Sequence, residues 1–143
     1  MKSPDPTLLP SICDLLQQNE LPTDDLPTQD LSLFLVEEQA GVLQAVAGLE
    51  RCGEAALVRS VATASDARGR GYAGKLVAEL ERMAMKQDIC ELFLLTETAE
   101  SYFSHRDYLK IERDQAPDSI RSSRQFSALC PDSATLMHKQ LCG

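Results

Sequence analysis

The first apolar positions of the chain recur at helical spacing. Leucine and isoleucine residues are three or four positions apart across residues 8–18, which predicts an amphipathic helix with Pro10 in its first turn. Residues 21–25 contain proline, threonine and aspartate, a pattern that is typical of a turn opening a second short helix. The chain is therefore expected to begin with helical structure.

Three apolar runs follow, and their length and spacing are those of strands. The runs at residues 31–38 and 42–50 are joined by Gln39, Ala40 and Gly41, which predicts a hairpin. Gly53 and Glu54 separate a third run, residues 55–63. These segments predict an antiparallel meander of three strands.

The second half of the chain alternates helical and strand patterns. Apolar residues after Gly74 return to helical spacing, and residues 89–95 form a continuous apolar run typical of a buried strand. Residues 98–106 suit a helix capped by Thr98, and helical turns are expected within residues 117–129. Two further strands are expected at residues 108–111 and 135–141. The order predicts a mixed α/β sheet, antiparallel at first and then continued by a βαβ crossover.

Length and charge limit the class of protein and its partners. A chain of 143 residues predicts one domain, residues 1–143, with a core of its own. The formal net charge of −8 argues against nucleic acid or an anionic membrane as the main partner and favours a cationic or neutral acceptor. Arg68, Arg70 and Lys75 nevertheless form a local basic patch.

The cysteines and the N-terminus indicate a compartment. The five cysteines are odd in number and scattered, and no pair has zinc-knuckle spacing, so no metal site is expected. They are expected to be reduced and to act as small buried hydrophobic residues. The N-terminus does not resemble a signal peptide, and no apolar run reaches the ~20 residues of a membrane helix. A cytoplasmic protein is expected.

A glycine-rich turn lies between a predicted strand and a predicted helix. Gly69, Gly71 and Gly74 allow the backbone to approach a ligand closely, and the amides of the following helix favour an anion. Arg68 and Arg70 add positive charge suited to phosphate. The alternative is an ordinary loop-to-helix turn with two solvated arginines. The glycines also fit a dinucleotide fingerprint, but its acidic partner would be Asp88, which precedes the next strand instead of ending it.

Two motifs resemble those of the GCN5-related N-acetyltransferase (GNAT) superfamily. Arg68, Gly71 and Ala73 match its [Q/R]-x-x-G-x-[G/A] signature, placed after the family's fourth strand. A second family motif, N-x-x-A-x-x-L-Y-x-x-x-G-F, aligns without gaps on Thr96, Ala99, Tyr102, Phe103, Asp107 and Tyr108. The resemblance covers nearly the whole chain, and the family's first strand is short or missing before Leu8.

Shorter segments resemble the arsenic-resistance N-acetyltransferase subfamily. These segments are residues 21–23, 48–50, 57–60, 94–100 and 129–134. The subfamily takes its name from the operons in which its members are found. The resemblance therefore implies a biological setting more than a particular acceptor.

The resemblance implies acetyl-CoA as co-substrate, held between two strands that splay apart. The backbone of Val61 and Thr63 would hold the pantetheine arm and the acetyl carbonyl, and Phe103 would lie beside them. The pyrophosphate would be bound by the turn formed by Arg68, Gly69, Arg70, Gly71, Tyr72, Ala73 and Gly74. A small amine would attack the thioester directly. Family members often dimerise, so a homodimer is compatible with the resemblance.

The catalytic groups implied by the resemblance leave alternatives open. Phe103 occupies the position where family members that use a general acid generally have a tyrosine, and phenylalanine cannot donate a proton. The thiolate would then leave without a dedicated acid, or Thr96, Ser101 or water would serve; a non-catalytic acyl-CoA-binding or regulatory module is the alternative. Glu50 and Glu97 are candidate bases at strand ends, and a solvated carboxylate is the alternative for each.

Three further residues invite a chemical interpretation. Arg59 lies within an apolar strand, where a charge is costly unless paired, so it is expected to meet an acidic partner such as Glu50 or an anionic substrate group. Cys130 and His138 form only a weak nucleophile or metal pattern. Cys130 is a candidate arsenical contact if the subfamily name reflects the substrate.

Overall fold

The computed structural model describes residues 1–123, 126 and 133–142 of the chain. The elements alternate as the hydrophobic pattern predicts, with short 3-10 turns between them. The helices and strands are α1 (Leu9–Gln18), β1 (Phe34–Gln39), β2 (Val42–Cys52), β3 (Ala55–Thr63), α2 (Tyr72–Lys86), β4 (Glu91–Thr96), α3 (Glu100–Ser104), β5 (Leu109–Lys110), α4 (Asp118–Arg121) and β6 (Thr135–Gln140).

The strands form one mixed sheet of six strands in the order β1-β2-β3-β4-β6-β5. β1 and β2 are antiparallel, β3 and β4 are parallel, and β6 is antiparallel to both β4 and β5. α2 connects the parallel pair, which makes the βαβ crossover that the sequence predicts. The parallel register covers only Ala55–Leu57 and Glu91–Phe93, although both strands are longer. The mixed α/β fold is therefore confirmed, together with a short parallel pairing that fits splayed central strands.

The chain divides into two compact units. The first unit comprises Met1–Glu50 and Arg59–Met83, and the second comprises Arg51–Val58 and Ala84–Gly143. α2 and β3 contribute residues to both units.

The core of the first unit lies between α1 and the β1–β2 hairpin. One face of α1 is buried because its apolar residues are three or four positions apart, and these residues pack against apolar side chains of the hairpin. The residues of this cluster are Ile12, Leu15, Leu16, Leu26, Phe34, Val36, Val46 and Ala62. An isolated antiparallel bridge joins Lys2 to Val36, so the expected short first strand is reduced to one residue pair.

The core of the second unit lies around β4 and β6. Six consecutive residues of β4 pair with β6, from Glu91 opposite Gln140 to Thr96 opposite Thr135. Apolar side chains from these strands, the end of β2 and α4 pack together. This cluster comprises Cys52, Ala55, Leu57, Phe93, Ala116, Ile120 and Leu136.

Two predicted helices differ from the structure. The segment after residue 21 forms a single 3-10 turn at Leu26–Thr28 instead of a second helix. Leu31–Leu33, predicted as the start of the first strand, forms another such turn, and β1 begins at Phe34. The helix expected at residues 98–106 is only Glu100–Ser104. Thr98 does not cap it; the Oγ1 atom of Thr96 accepts a 2.9 Å hydrogen bond from the amide of Ala99. The helix begins after Ala99 and has no side-chain cap.

The expectation for the cysteines is wrong for two of them. Cys90 and Cys142 form a disulfide within the second unit, whereas Cys13 and Cys52 are free thiols. Burial, reinforced by the charge of Asp14, raises the pKa of the Cys13 thiol. Cys130 lies outside the described residues. Scattered spacing could not reveal the pair, because β4 and the end of β6 meet only through the sheet.

No helix within residues 1–123 and 133–142 is both long and apolar enough to cross a membrane.

Candidate functional site

The turn between β3 and α2 has the backbone geometry of an anion cradle. Gly69 and Gly71 have φ values of +84° and +78°, in the region that favours glycine. A Cβ atom built on either residue has no heavy atom within 4 Å. The glycines are therefore required for backbone conformation and leave open space beside it.

The amides of this turn are available to a ligand. The first hydrogen bond of the helix is from the amide of Lys75 to the carbonyl of Gly71, at 3.1 Å. Among the described residues, no backbone hydrogen-bond acceptor is found for the amides at positions 69 and 71–73. They precede or begin a helix of 15 residues, where the macrodipole favours an anion. The residues present therefore fit a pyrophosphate group.

The backbone before the turn has a feature that the sequence did not indicate. Ser60, in the middle of β3, has a φ of +57°, which is uncommon for a residue other than glycine. Val61 and Thr63 follow it on the same strand. Backbone strain of this kind clusters at functional sites. No sequence signal at Ser60 could have shown it, because serine has no preference for such a conformation in a strand.

Arg59 lies at the centre of a buried ion-pair network in the first unit. Its Nη1 and Nη2 atoms donate to Oδ2 and Oδ1 of Asp25 at 2.5 and 2.6 Å. Nη1 also donates to Oε1 of Glu50 at 3.2 Å, and Nε donates to Oγ of Ser60 at 3.2 Å. The ring of Phe34 lies 5.9 Å from the guanidinium carbon. The expected Glu50 partner is confirmed, but the bidentate partner is Asp25, which sequence reasoning missed.

Exposure distinguishes the two carboxylates of this network. The side chains of Arg59 and Asp25 are fully buried, whereas that of Glu50 is 19% exposed. Asp25 can therefore hold the guanidinium in place without Glu50, and Glu50 is the member of the network that solvent reaches. This arrangement is compatible with Glu50 acting as a base, and equally with a structural ion pair.

Thr96 and Glu97 lie at the end of β4 in the second unit. The Thr96 hydroxyl oxygen accepts the Ala99 amide hydrogen bond already described. Glu97 is exposed, and its Oε1 atom accepts a 3.3 Å hydrogen bond from the Ser133 hydroxyl. Both side chains therefore have local partners, and neither contact excludes contact with a substrate.

Phe103 is part of a buried aromatic cluster in the second unit. Its ring is edge-on to Tyr108 at 5.5 Å and to Tyr102 at 5.2 Å between centroids. Phe103 and Tyr108 are buried, and Tyr102 is exposed. Asp107, at the family's glycine position, has a φ of +73°, in the left-handed region that aspartate tolerates better than most residues. His138 contacts Glu91, with its Nε2 atom 3.0 Å from Oε1, and forms no cluster of metal ligands within the described residues.

The candidate residues thus divide between the units. Glu50, Val61, Thr63 and residues 68–74 belong to the first unit; Thr96, Glu97 and Phe103 belong to the second.

Comparison with known families decides the class of the protein. The model of the acetyltransferase (GNAT) family matches residues 8–111, most of the 143-residue chain. The chain belongs to the GNAT family. The family is one of acetyltransferases, and acetyl-CoA as co-substrate fits the coenzyme A found in structural relatives.

Solved structures share the fold of this GNAT protein at low sequence identity. An N-acetylglutamate synthase from Neisseria gonorrhoeae, complexed with coenzyme A and N-acetyl-glutamate, has a TM-score of 0.84 at 19% identity. The match covers 99% of this chain and 35% of that one, so this chain spans about a third of the synthase.

Two further structures match over most of their own length. Rv2747 from Mycobacterium tuberculosis, complexed with CoA and NLQ, has a TM-score of 0.83 at 18% identity, with 99% and 98% of the two chains covered. Tetrahymena GCN5 has a TM-score of 0.73 at 17% identity, with 95% and 88% covered. At these identities the likeness establishes the fold of the GNAT chain.

Proposed function

We propose that this chain is an acetyl-CoA-dependent N-acetyltransferase that transfers the acetyl group directly to a small amine. The observation that carries the proposal is the cradle at residues 68–74. Two left-handed glycines with open space beside them, and four amides without a backbone acceptor among the described residues, precede or begin a 15-residue helix. Pyrophosphate binding needs this combination, and an ordinary loop-to-helix turn does not.

The pantetheine arm would follow β3 from the cradle. The backbone of Val61 and Thr63 would pair with the arm, and the conformation of Ser60 turns the strand just before them. Gly74, in the first turn of α2, and Phe103 would complete the coenzyme contacts. These assignments rest on the position of the residues along the family's motifs.

The proposed reaction needs a base for the acceptor. Acetyl-CoA supplies a thioester whose carbonyl carbon is attacked as the C–N bond forms and the C–S bond breaks. Glu50 would take the proton that the acceptor ammonium must lose, because it is the solvent-accessible carboxylate beside the buried Arg59–Asp25 pair. Glu97, exposed at the end of β4, is the alternative base.

The leaving thiolate has no tyrosine acid at position 103. Phe103 is buried against Tyr108. The proposal therefore has the thiolate leave unassisted or take a proton from Thr96 or water. A coenzyme thiol is a weak enough base for departure without an acid.

The acceptor class and biological setting extend the proposal. An amino acid amine is a reasonable acceptor, since structural relatives include an N-acetylglutamate synthase. An arsenic-containing amine is the second candidate, from the resemblance to the arsenic-resistance subfamily.

We further propose one catalytic domain over residues 1–143, able to form a homodimer. A cytoplasmic location stays a prediction, and that compartment would keep Cys90 and Cys142 as thiols.

Acetyl-CoA binding tests the cradle. At about 100 times its dissociation constant, acetyl-CoA should stabilise the folded protein by about 2.7 kcal/mol in a thermal-shift measurement. Gly71→Ala should abolish the shift, because alanine is strained at a φ of +78°. Gly41→Ala is the matched control: Gly41 has a φ of +79° and equally open surroundings, but lies in the β1–β2 turn. No shift for the parent protein at millimolar acetyl-CoA would remove the proposal.

Turnover separates catalysis from binding. Thiol release should be measured with a panel of amino acids, other small amines and aminated arsenicals. We expect Glu50→Gln to lower kcat by about 10²-fold or more if Glu50 is the base, and Glu97→Gln to lower it little. Undiminished activity in Glu50→Gln would remove that assignment.

A non-catalytic acyl-CoA-binding module is the second candidate function, and Phe103 is the observation that favours it. A module of this kind would bind acetyl-CoA without releasing thiol for any amine. Phe103→Tyr is then informative, because the added hydroxyl supplies the missing acid. Activity that appears only in Phe103→Tyr would support the binding module.

A further inference from the structure

Asn19 connects the end of α1 to the cradle. It is the residue at which α1 ends, and its Nδ2 atom donates to the carbonyl of Leu15 at 2.9 Å. The same atom lies 3.4 Å from the carbonyl of Thr63, the last residue of β3. Its Oδ1 atom accepts a 2.9 Å hydrogen bond from Nη2 of Arg68. One half-buried side chain therefore reaches three elements of the first unit.

These contacts use both ends of the amide group. A carboxamide has two N–H donors and one carbonyl acceptor, and here the donor side meets two carbonyls while the acceptor meets a cation. The Leu15 carbonyl is one of the last four of a helix, which have no partner inside the helix. Capping that carbonyl accounts for the first contact alone. It does not account for the contacts with Thr63 and Arg68.

The contacts with Thr63 and Arg68 lie at the two ends of the segment that leads into the cradle. Thr63 ends β3, and Arg68 immediately precedes the two left-handed glycines. Glycine-containing backbone loses much conformational freedom when it is ordered. A loop that already has its binding conformation before the ligand arrives loses less conformational entropy on binding. Asn19 is placed to hold this segment from both ends.

We propose that Asn19 is a positioning residue for coenzyme binding, acting through Arg68 and the carbonyl of Thr63. The inference rests on the proposed coenzyme A site at residues 68–74. Asn19 itself does not touch the coenzyme; it orders the backbone whose amides do. Loss of its side chain weakens coenzyme binding because the turn must then be ordered on binding.

A double-mutant cycle on coenzyme affinity tests the connection. The dissociation constant of coenzyme A is measured by titration calorimetry for the parent protein, Asn19→Ala, Arg68→Ala and the double variant. We expect Asn19→Ala to bind about tenfold more weakly, and the double variant to be no worse than Arg68→Ala by more than about twofold. Gln18→Ala is the matched control, since Gln18 is an exposed neighbour at the end of the same helix.

A second, stabilising substitution distinguishes the helix-capping role of Asn19 from its positioning role. Glu20 has a φ of +58°, so Glu20→Gly should restore stability lost at the end of α1. In the Asn19→Ala/Glu20→Gly variant we expect stability to recover while coenzyme affinity stays about tenfold reduced. Hydrogen exchange of the Ala64 and Ala67 amides, which are hydrogen-bonded and lie in the segment between Thr63 and Arg68, should also be faster in ligand-free Asn19→Ala than in Gln18→Ala.

The outcomes distinguish the positioning role of Asn19 from the coenzyme site itself. Parent-like coenzyme affinity in Asn19→Ala, recovery of affinity with stability in the Glu20→Gly background, or independent effects of Asn19 and Arg68 would overturn the positioning role while leaving the coenzyme site intact. Failure of the parent protein to bind coenzyme A would overturn the site and the positioning role together.

Discussion

At the scale of single residues, the buried charge of Arg59 inside β3 is the feature that most needs a partner. A buried guanidinium requires a partner, so the need for an acid could be deduced from the sequence. Glu50 could be named because the end of β2 neighbours β3 in a meander. Asp25 could not, since it lies in a turn 34 positions away, beside the equally acidic Asp24. Only the packed fold distinguishes these two aspartates.

Removing Asp25 should cost far more stability than removing Glu50. Asp25→Asn leaves Arg59 buried without its bidentate partner, and breaking a buried pair typically costs about 3–5 kcal/mol. Glu50→Gln removes one 3.2 Å contact from a partly exposed side chain, and we expect a loss of about 1 kcal/mol or less. The free energy of unfolding in urea measures both.

Asp24→Asn is the control for the Asp25 substitution, because Asp24 is the exposed neighbour in the same turn. It should leave the free energy of unfolding within about 0.5 kcal/mol of the parent value. Equal losses in Asp25→Asn and Glu50→Gln would mean that the guanidinium does not depend on Asp25 as the distances indicate.

Asp30 should make a pH-dependent contribution to stability. Hydrogen bonds from the Ser32 hydroxyl and then from the Ser32 amide lower the pKa of Asp30 below its usual 3.8. A carboxyl with a depressed folded pKa contributes stability above its unfolded pKa, and that contribution is lost as the pH falls through the folded pKa. Asp30→Asn should therefore have a lower Tm than the parent at pH 6, and the difference should shrink below about pH 4. A pH-independent difference would contradict this.

At the scale of elements, three helices end in the same way without glycine. Glu20, Asp88 and Asp107 follow α1, α2 and α3 with φ values of +58°, +60° and +73°. At each end, the amide after this residue bonds to a carbonyl five positions back, as in a Schellman motif. Asp88, weighed from the sequence as an acid for a dinucleotide site, is therefore a residue of a helix end.

Glycine at position 20 should stabilise the protein. A left-handed conformation costs roughly 1–2 kcal/mol for most residues, whereas aspartate and asparagine tolerate it better. We expect Glu20→Gly to raise the free energy of unfolding by about 1 kcal/mol, and the matched Asp88→Gly to raise it less. Urea titrations of both variants measure the difference. A loss of stability in Glu20→Gly would indicate that the Glu20 side chain has a compensating role.

Element boundaries were predictable where the pattern is local. The strand Ala55–Thr63 has the predicted bounds, because glycine before it and a turn after it delimit a continuous apolar run. The predicted helix at residues 98–106 is too long by two residues at each end. The start of this helix depends on where β4 ends, and only pairing with β6 determines that position.

At the scale of the whole molecule, the sequence indicated the turn at residues 68–74 better than it indicated the contacts around it. The cradle is one continuous segment whose glycines and helix can be recognised locally. The contacts of Asp25 and Asn19 join elements that are distant in sequence. The strained backbone at Ser60 has no signal in the residue type, because serine does not favour a positive φ. Cys90 and Cys142, 52 positions apart, belong to the same class of long-range feature.

Reduction of the Cys90–Cys142 disulfide should destabilise the protein substantially. The bond closes a loop of about 50 residues and adds to the 2.7 Å hydrogen bond from the Leu141 amide to the Cys90 carbonyl. Loop-closure entropy for that length predicts a loss of up to about 4 kcal/mol. Urea unfolding with and without a thiol reductant measures it, and Cys90→Ser/Cys142→Ser should match the reduced protein. Cys13→Ser is the control and should keep the response to reductant. A parent protein equally stable with and without reductant would contradict this prediction.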